Sequence, residues 1–244
     1  MTHPHLGTND LAGSTRWSVV LAAGKHPGQG GREALEQLCR DYWYPLYAYA
    51  RRRGYDAESA RDCVQAFFVH LLESRAIAAA DPARGRFRAF LLTSLRNFVA
   101  HDRERSRAAR RGGGRAMISL DVEAGESRYL RDPATHLTPE RLFERRWAET
   151  LLDRVVDLLR EEWARAGKAA QFAELKVFLA GRDPNTSHAE IAGRLGLTQG
   201  AAMVAAHRLR KRFRQLLLEA IADTLDDPAE LDDEITRLFE ALRA

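Results

Sequence analysis

SHAEIAGRLGLTQGAAMVAAHRLRKRFR, residues 187–214, is the stretch that decides how this chain folds. Ser187 and Glu190 have the S-x-x-E spacing of a capping box, in which each side chain satisfies an unpaired donor at a helix start. Ile191, Ala192 and Leu195 give one short apolar face, and Gly196 permits the turn that ends it. Thr198 can cap a second helix running through Arg214. At about 100° per residue, Ala202, Ala206, Leu209, Phe213 and Leu216 share one stripe, the expected buried face. Gly200, Val204, His207 and Lys211 lie opposite, flanked by Met203, Arg208 and Arg214. Small inner residues and a basic outer face let a helix approach both a partner helix and a phosphate backbone. This is the layout of a helix-turn-helix, whose second helix enters the major groove. The plain alternative is a helical hairpin with a solvated charged face.

Charge points the same way along the rest of the chain. The formal net charge of the 244 residues is +4, but it is unevenly spread. Residues 219–244 hold nine acids against Arg237 and Arg243, a net of −7, which leaves +11 on the first 218 residues. A basic body suggests a polyanionic partner, and an acidic tail could either compete with that partner or be an ordinary soluble amphipathic helix. Cys39 and Cys63 are the only cysteines, and both sit among apolar neighbours in helical patterns. Buried free thiols are expected, and no Cys/His spacing suits a zinc site. No metal or cofactor is therefore expected. Trp17–Ala23 is too short to span a membrane and lacks the basic start of a signal peptide, so a cytoplasmic protein without a membrane partner is expected.

Upstream, nearly everything after residue 30 has helical periodicity. One amphipathic helix carries Ala34, Leu35, Leu38 and Tyr42, with a break or kink expected at Pro45. Asp56 is placed to cap a helix bearing Ala60, Val64, Phe67, Phe68, Leu71 and Leu72, and a third helix runs from about Phe87 to Arg105. Gly112–Gly114 and Pro133 argue against a long packed element over 106–140. The expected fold is all-α: two small helical domains joined by a flexible linker, the second containing the helix-turn-helix. The boundaries are an N-terminal extension at 1–30, a first domain at 31–105, a basic Gly-rich linker at 106–140, a second domain at 141–221 and an acidic helical tail at 222–244.

A second basic segment lies in the first domain. Residues 84–115 contain ten arginines and only two acids, Asp102 and Glu104, with Phe87, Phe90 and Phe98 interleaved. Arginine forks hold phosphates, and an aromatic ring can stack on an unpaired base. The spacing of Phe90 and Phe98 favours packing for those two rings.

Taken together, these segments resemble the two conserved domains of an extracytoplasmic-function (ECF) sigma factor of bacterial RNA polymerase. Asp62-Cys63-Val64-Gln65-Ala66-Phe67-Phe68 resembles the D-x-x-Q-x-x-F core of that family's second region. Phe87-Arg88-Ala89-Phe90-Leu91, followed by Arg96-Asn97 and Asp102, resembles its promoter-melting helix. Glu190-Ile191-Ala192, Leu195-Gly196 and Gly200-Ala201 resemble the helix-turn-helix of its fourth region. The Thr15–Ser18 start and the His207–Arg210 stretch are similar to one subgroup. Ala66, Met203 and Phe90 depart from the pattern, standing where an acid, a lysine and a tryptophan are common.

The resemblance implies that Asp62, Gln65 and Phe68 dock on core RNA polymerase. It implies that Arg86, Phe87, Arg88, Phe90, Arg96, Asn97, Arg103 and Arg105 recognise and melt the minus-ten element. Thr198, Gln199, Gly200, Met203, Val204, His207, Arg208 and Lys211 would read the duplex minus-thirty-five element. The partners so implied are core polymerase and promoter DNA, double-stranded and locally melted, with an anti-sigma protein or self-regulation by the acidic tail compatible with the layout. No covalent chemistry is implied. The rival is a conventional helix-turn-helix regulator with a sensory or dimerisation domain, and its mark would be a ligand cavity or a symmetric dimer. A DNA-processing enzyme is disfavoured, because Asp102 and Glu104 point to different faces of a helix and cannot hold a metal without a third group.

Overall fold

Apolar residues recurring every third or fourth position bury one stripe per helix, and helices are the regular elements among the described residues of this computed structural model. Those residues are 29–73, 86–106, 122–131, 136–179, 187–225 and 227–243. In chain order the α-helices are α1 (Gln29–Arg52), α2 (Ala57–Glu73), α3 (Phe87–Ser106), α4 (Val122–Arg131), α5 (Pro139–Arg165), α6 (Ala169–Leu175), α7 (His188–Leu195), α8 (Gln199–Ala222) and α9 (Leu231–Arg243). Short 3-10 turns follow α6 and precede α9. No described helix is long and apolar enough to cross a membrane. Residues 1–28, including Trp17–Ala23 and Thr15–Ser18, lie outside the described residues.

The chain divides into two compact units, one of Met1–Thr150 with Ala222–Ala244 and one of Leu151–Ile221. In the first, α1 packs on α2, α2 on α3 and α4 on α1. The core is aromatic: Tyr42, Tyr47, Tyr49, Phe67, Phe68 and Phe87 are fully buried, with Leu91 and Leu95 of α3. Phe87 meets Tyr42 edge-on at 5.5 Å between ring centroids, a favourable quadrupole arrangement. Cys39 and Cys63 are buried free thiols in this core. Asp56 starts α2 as expected, its carboxylate accepting from the Ser59 amide at 2.8 Å and the Ser59 hydroxyl at 3.0 Å.

Three features depart from the pattern read along the sequence. Pro45 lies inside α1, which continues through it to Arg52. The flanking residues 41–50 are all buried, so packing holds the helix together despite the missing amide. Residues 122–131, assigned above to the linker, form α4, which docks on α1. Gly125 makes this approach possible, since a Cβ there would lie 2.5 Å from the Trp43 ring. Glu126 then takes the Arg51 guanidinium in a fork, at 2.7 Å and 3.0 Å, and also accepts from the Tyr47 hydroxyl. Lastly, residues 222–244, assigned to a separate tail, belong to the first unit, where Glu234 and Leu238 of α9 are both 0% exposed.

In the second unit the chain folds locally as its spacing dictates. Ser187 accepts from the Glu190 amide at 3.1 Å while the Glu190 carboxylate accepts from the Ser187 amide at 3.3 Å, the reciprocal capping box. Gly196 ends α7 with φ +63°, a conformation only glycine adopts freely. Thr198 Oγ1 accepts from the Ala201 amide at 3.2 Å and opens α8. Ala202, Ala206, Leu209 and Leu216 are buried and Phe213 half-buried, so the expected inner stripe is the inner stripe. The helix extends beyond the expected Arg214 to Ala222. Arg212 donates through Nη2 and Nε to the Glu162 carboxylate of α5, at 2.6 Å and 2.9 Å.

Candidate nucleic-acid interface

Burial sorts the site residues of α2 into two groups. Asp62 is exposed and paired with Arg61 at 2.9 Å, and Gln65 is half-buried on the same outward face as exposed Glu58 and Ala66. Phe68 is 1% exposed. It points into the core beside Phe67, with ring centroids 6.0 Å apart, and so positions α2 rather than offering a surface to a partner. The expected polymerase contact by Phe68 thereby becomes a packing contact. Periodicity alone could have assigned Phe68 inward, because Val64, Phe67, Phe68 and Leu71 share the apolar stripe.

Helix α3 divides in the same manner. Arg96 and Asn97 are exposed, and Phe90 and Phe98 are half-buried. Phe98 lies against Phe67 at 5.8 Å and His70 at 5.3 Å, and Phe90 lies 6.0 Å from Phe87. Phe87 is 1% exposed and belongs to the core, so it cannot stack on a base in this conformation. The side chains of Arg103 and Arg105 lie outside the described residues.

Arg86 and Arg88, expected at the DNA surface, instead hold the first unit together. Arg88 is buried, donates to Glu144 of α5 at 2.6 Å and to Glu234 of α9, and lies over the Trp147 ring at 4.2 Å. Arg86 contacts the same Glu234 carboxylate and lies 3.9 Å from Glu230. Burial pulls the pKa of both guanidiniums down, in Arg86 with help from the nearby Arg237 charge, while the acidic neighbours oppose the shift. The start of α3 has no acidic residue in its own first turn. The sequence showed an acidic tail and a basic segment, but nothing in it pairs Glu234 with these two arginines across more than a hundred residues.

In the second unit, every residue expected to face the major groove lies on the outside of α8 or at its start. Thr198, Gln199, Gly200, His207, Arg208 and Lys211 are exposed, and Met203 and Val204 are both 51% exposed. These last two are adjacent apolar side chains with about half their surface open to solvent. The Gly200–Val204–Arg208–Arg212 line also borders a groove of about 650 Å³ whose other wall includes Glu162 and Trp163. The Arg212–Glu162 pair ties the two walls together. The hydrogen bond from Arg212 holds the Glu162 carboxyl below its ordinary range, against the opposing effect of burial.

Residues 38–110 match the family model for sigma-70 region 2. Comparison with curated proteins and with solved structures returned no match. The matched segment starts within α1, spans α2 and α3, and ends just beyond α3. The match supports a sigma factor role in promoter recognition by RNA polymerase, and that family comprises transcription initiation factors rather than enzymes.

Proposed function

We propose that the chain is a sigma factor of the ECF type, which binds core RNA polymerase, opens promoter DNA at the minus-ten element and reads the minus-thirty-five element through α8. The region-two match over residues 38–110 carries this reading. The outward face of α2, with Asp62 and Gln65, is the polymerase-docking surface. The exposed Arg96 and Asn97 of α3 meet the opened strand, Asn97 supplying both donor and acceptor to a base edge. Helices α7 and α8 act as a helix-turn-helix, with Met203, Val204 and His207 toward bases and Arg208 and Lys211 toward phosphates. The protein remodels DNA by binding alone, and its place of action is the cytoplasm.

Affinity capture of core polymerase by the purified chain, followed by transcription from a genomic fragment library with mapped starts, tests the proposal. Defined start sites that depend on the chain are expected. Failure to bind core polymerase at low salt would overturn it. If α8 and its neighbours neutralise about six phosphates, duplex affinity falls about a thousandfold between about 50 and 200 mM salt. A flat salt response would remove α8 from the DNA interface.

A further inference from the structure

The start of α3 carries a preformed anion site, and α9 fills it. Arg86, just before α3, and Arg88, in its first turn, converge on one carboxylate, that of Glu234. Two convergent guanidiniums are a donor set that recognises a phosphate. The occupant also docks through an apolar stripe, in which Leu231, Ile235 and Leu242 are half-buried beside Leu238. Among the residues of α9 only Glu234 and Leu238 are buried, one turn apart, while Asp232, Asp233, Arg237, Phe239 and Glu240 are exposed. Its first turn carries Asp232, Asp233 and Glu234, and Glu230 lies just before it, so α9 presents a run of negative charge along this site as a nucleic-acid strand would.

We propose that α9 is an internal competitor for nucleic acid: its Glu234 carboxylate holds the place of a backbone phosphate, and the opened promoter strand displaces α9 to reach Arg86 and Arg88. The inference rests on the reading of α3 as the strand-opening helix. Exchange of one anion for another keeps both arginines compensated, which is what makes displacement feasible at a buried charge cluster. Arg88 keeps Glu144 and the Trp147 ring throughout, so it remains positioned when Glu234 leaves. Unliganded protein would then have weak affinity for stray single strands.

The test uses the full chain and a labelled single-stranded DNA of random sequence at low salt. Glu234→Gln preserves volume and removes the carboxylate, and it is expected to tighten DNA binding about tenfold. Arg86→Gln added to it should cancel that gain. In the wild-type chain, amide exchange across residues 231–243 should rise on DNA binding, a readout that needs no variant to fold. DNA binding that leaves α9 protected, or an affinity unchanged by Glu234→Gln, overturns the competitor while leaving α3 as a DNA-binding helix. Absence of binding by both wild type and Glu234→Gln overturns the competitor and the role of α3 together.

Discussion

Glu126 shows how one carboxylate fastens an element that composition had assigned to a linker. It accepts from both Arg51 and Tyr47, and these donors hold its pKa below the ordinary 4.5 even though burial, the largest single influence, would raise it. Burial and the Glu126 contact push the Tyr47 phenol up. A carboxyl lowered by folding stabilises the protein fully above its unfolded pKa, and that stability is lost as pH falls through the folded one. Acidification below about 4.5 should therefore loosen α4 from α1, seen as faster amide exchange over 122–131. Glu126→Gln should remove this acid-dependent step and lower stability of the first unit by about 1.5–3 kcal/mol, measured by denaturant unfolding. An unchanged acid limb would show that other carboxylates dominate. Gly125→Ala tests the same contact sterically. Its added carbon would meet the rigid, buried Trp43 indole, which stacks on Tyr47 at 5.2 Å between centroids, so a loss of roughly 1–3 kcal/mol is expected. Wild-type stability in Gly125→Ala would mean that α4 sits further from α1.

At the scale of elements, α7 and α8 were legible because their boundaries are written in local chemistry. Ser187, Glu190, Gly196 and Thr198 each act within four residues of where they stand, and each does in the structure what its type predicts. Ser187→Ala should accordingly cost about 1 kcal/mol, read in thermal unfolding and in exchange at the first turn of α7. A neutral effect would show that tertiary contacts alone hold that helix start. The elements misjudged in the sequence depend on partners distant along the chain. Pro45 predicts an interruption if only α1 is considered, yet burial of residues 41–50 keeps the helix continuous. Helix α4 has few apolar residues of its own, and besides Tyr129, which packs on Ala48, Leu137 and Leu142, its docking uses a missing side chain at Gly125 and a charge at Glu126 that finds Arg51. Binary patterning cannot register either signal. The candidate surface was legible in the same partial way. Periodicity separated the outer face of α8 from its inner stripe. On α3 it likewise places Arg88 in register with Leu91, Leu95 and Val99 and Arg96 off that stripe, but it cannot supply the distant carboxylates that compensate an inward arginine.

For the molecule as a whole, the opposition between a basic body and an acidic C-terminal segment is visible from composition, and the structure gives it a location within one unit. Helix α9 comes last in the chain but folds with α1–α4, and its Glu234 lies between Arg86 and Arg88, which depend on it in part for counter-charge. That dependence has a thermodynamic consequence. In Glu234→Ala the two arginines lose a buried counter-charge, which for an intact cluster costs roughly 3–5 kcal/mol. The protein can escape part of this cost by letting α9 undock, so that water reaches Arg86 and Arg88. The loss in Glu234→Ala is therefore capped near the loss caused by removing residues 227–244 outright. The two variants should have similar denaturant midpoints, and both should show faster exchange in α1–α3 while α7 and α8 keep their protection. Leu238→Ala leaves the ion pairs in place and removes only buried apolar atoms, so it should cost about 2–5 kcal/mol, again with an upper limit at undocking. A truncation far more damaging than Glu234→Ala would show that apolar contacts hold α9 and that the ion pairs add little. Loss of protection over 187–221 in the truncated chain would show that α9 stabilises the second unit instead.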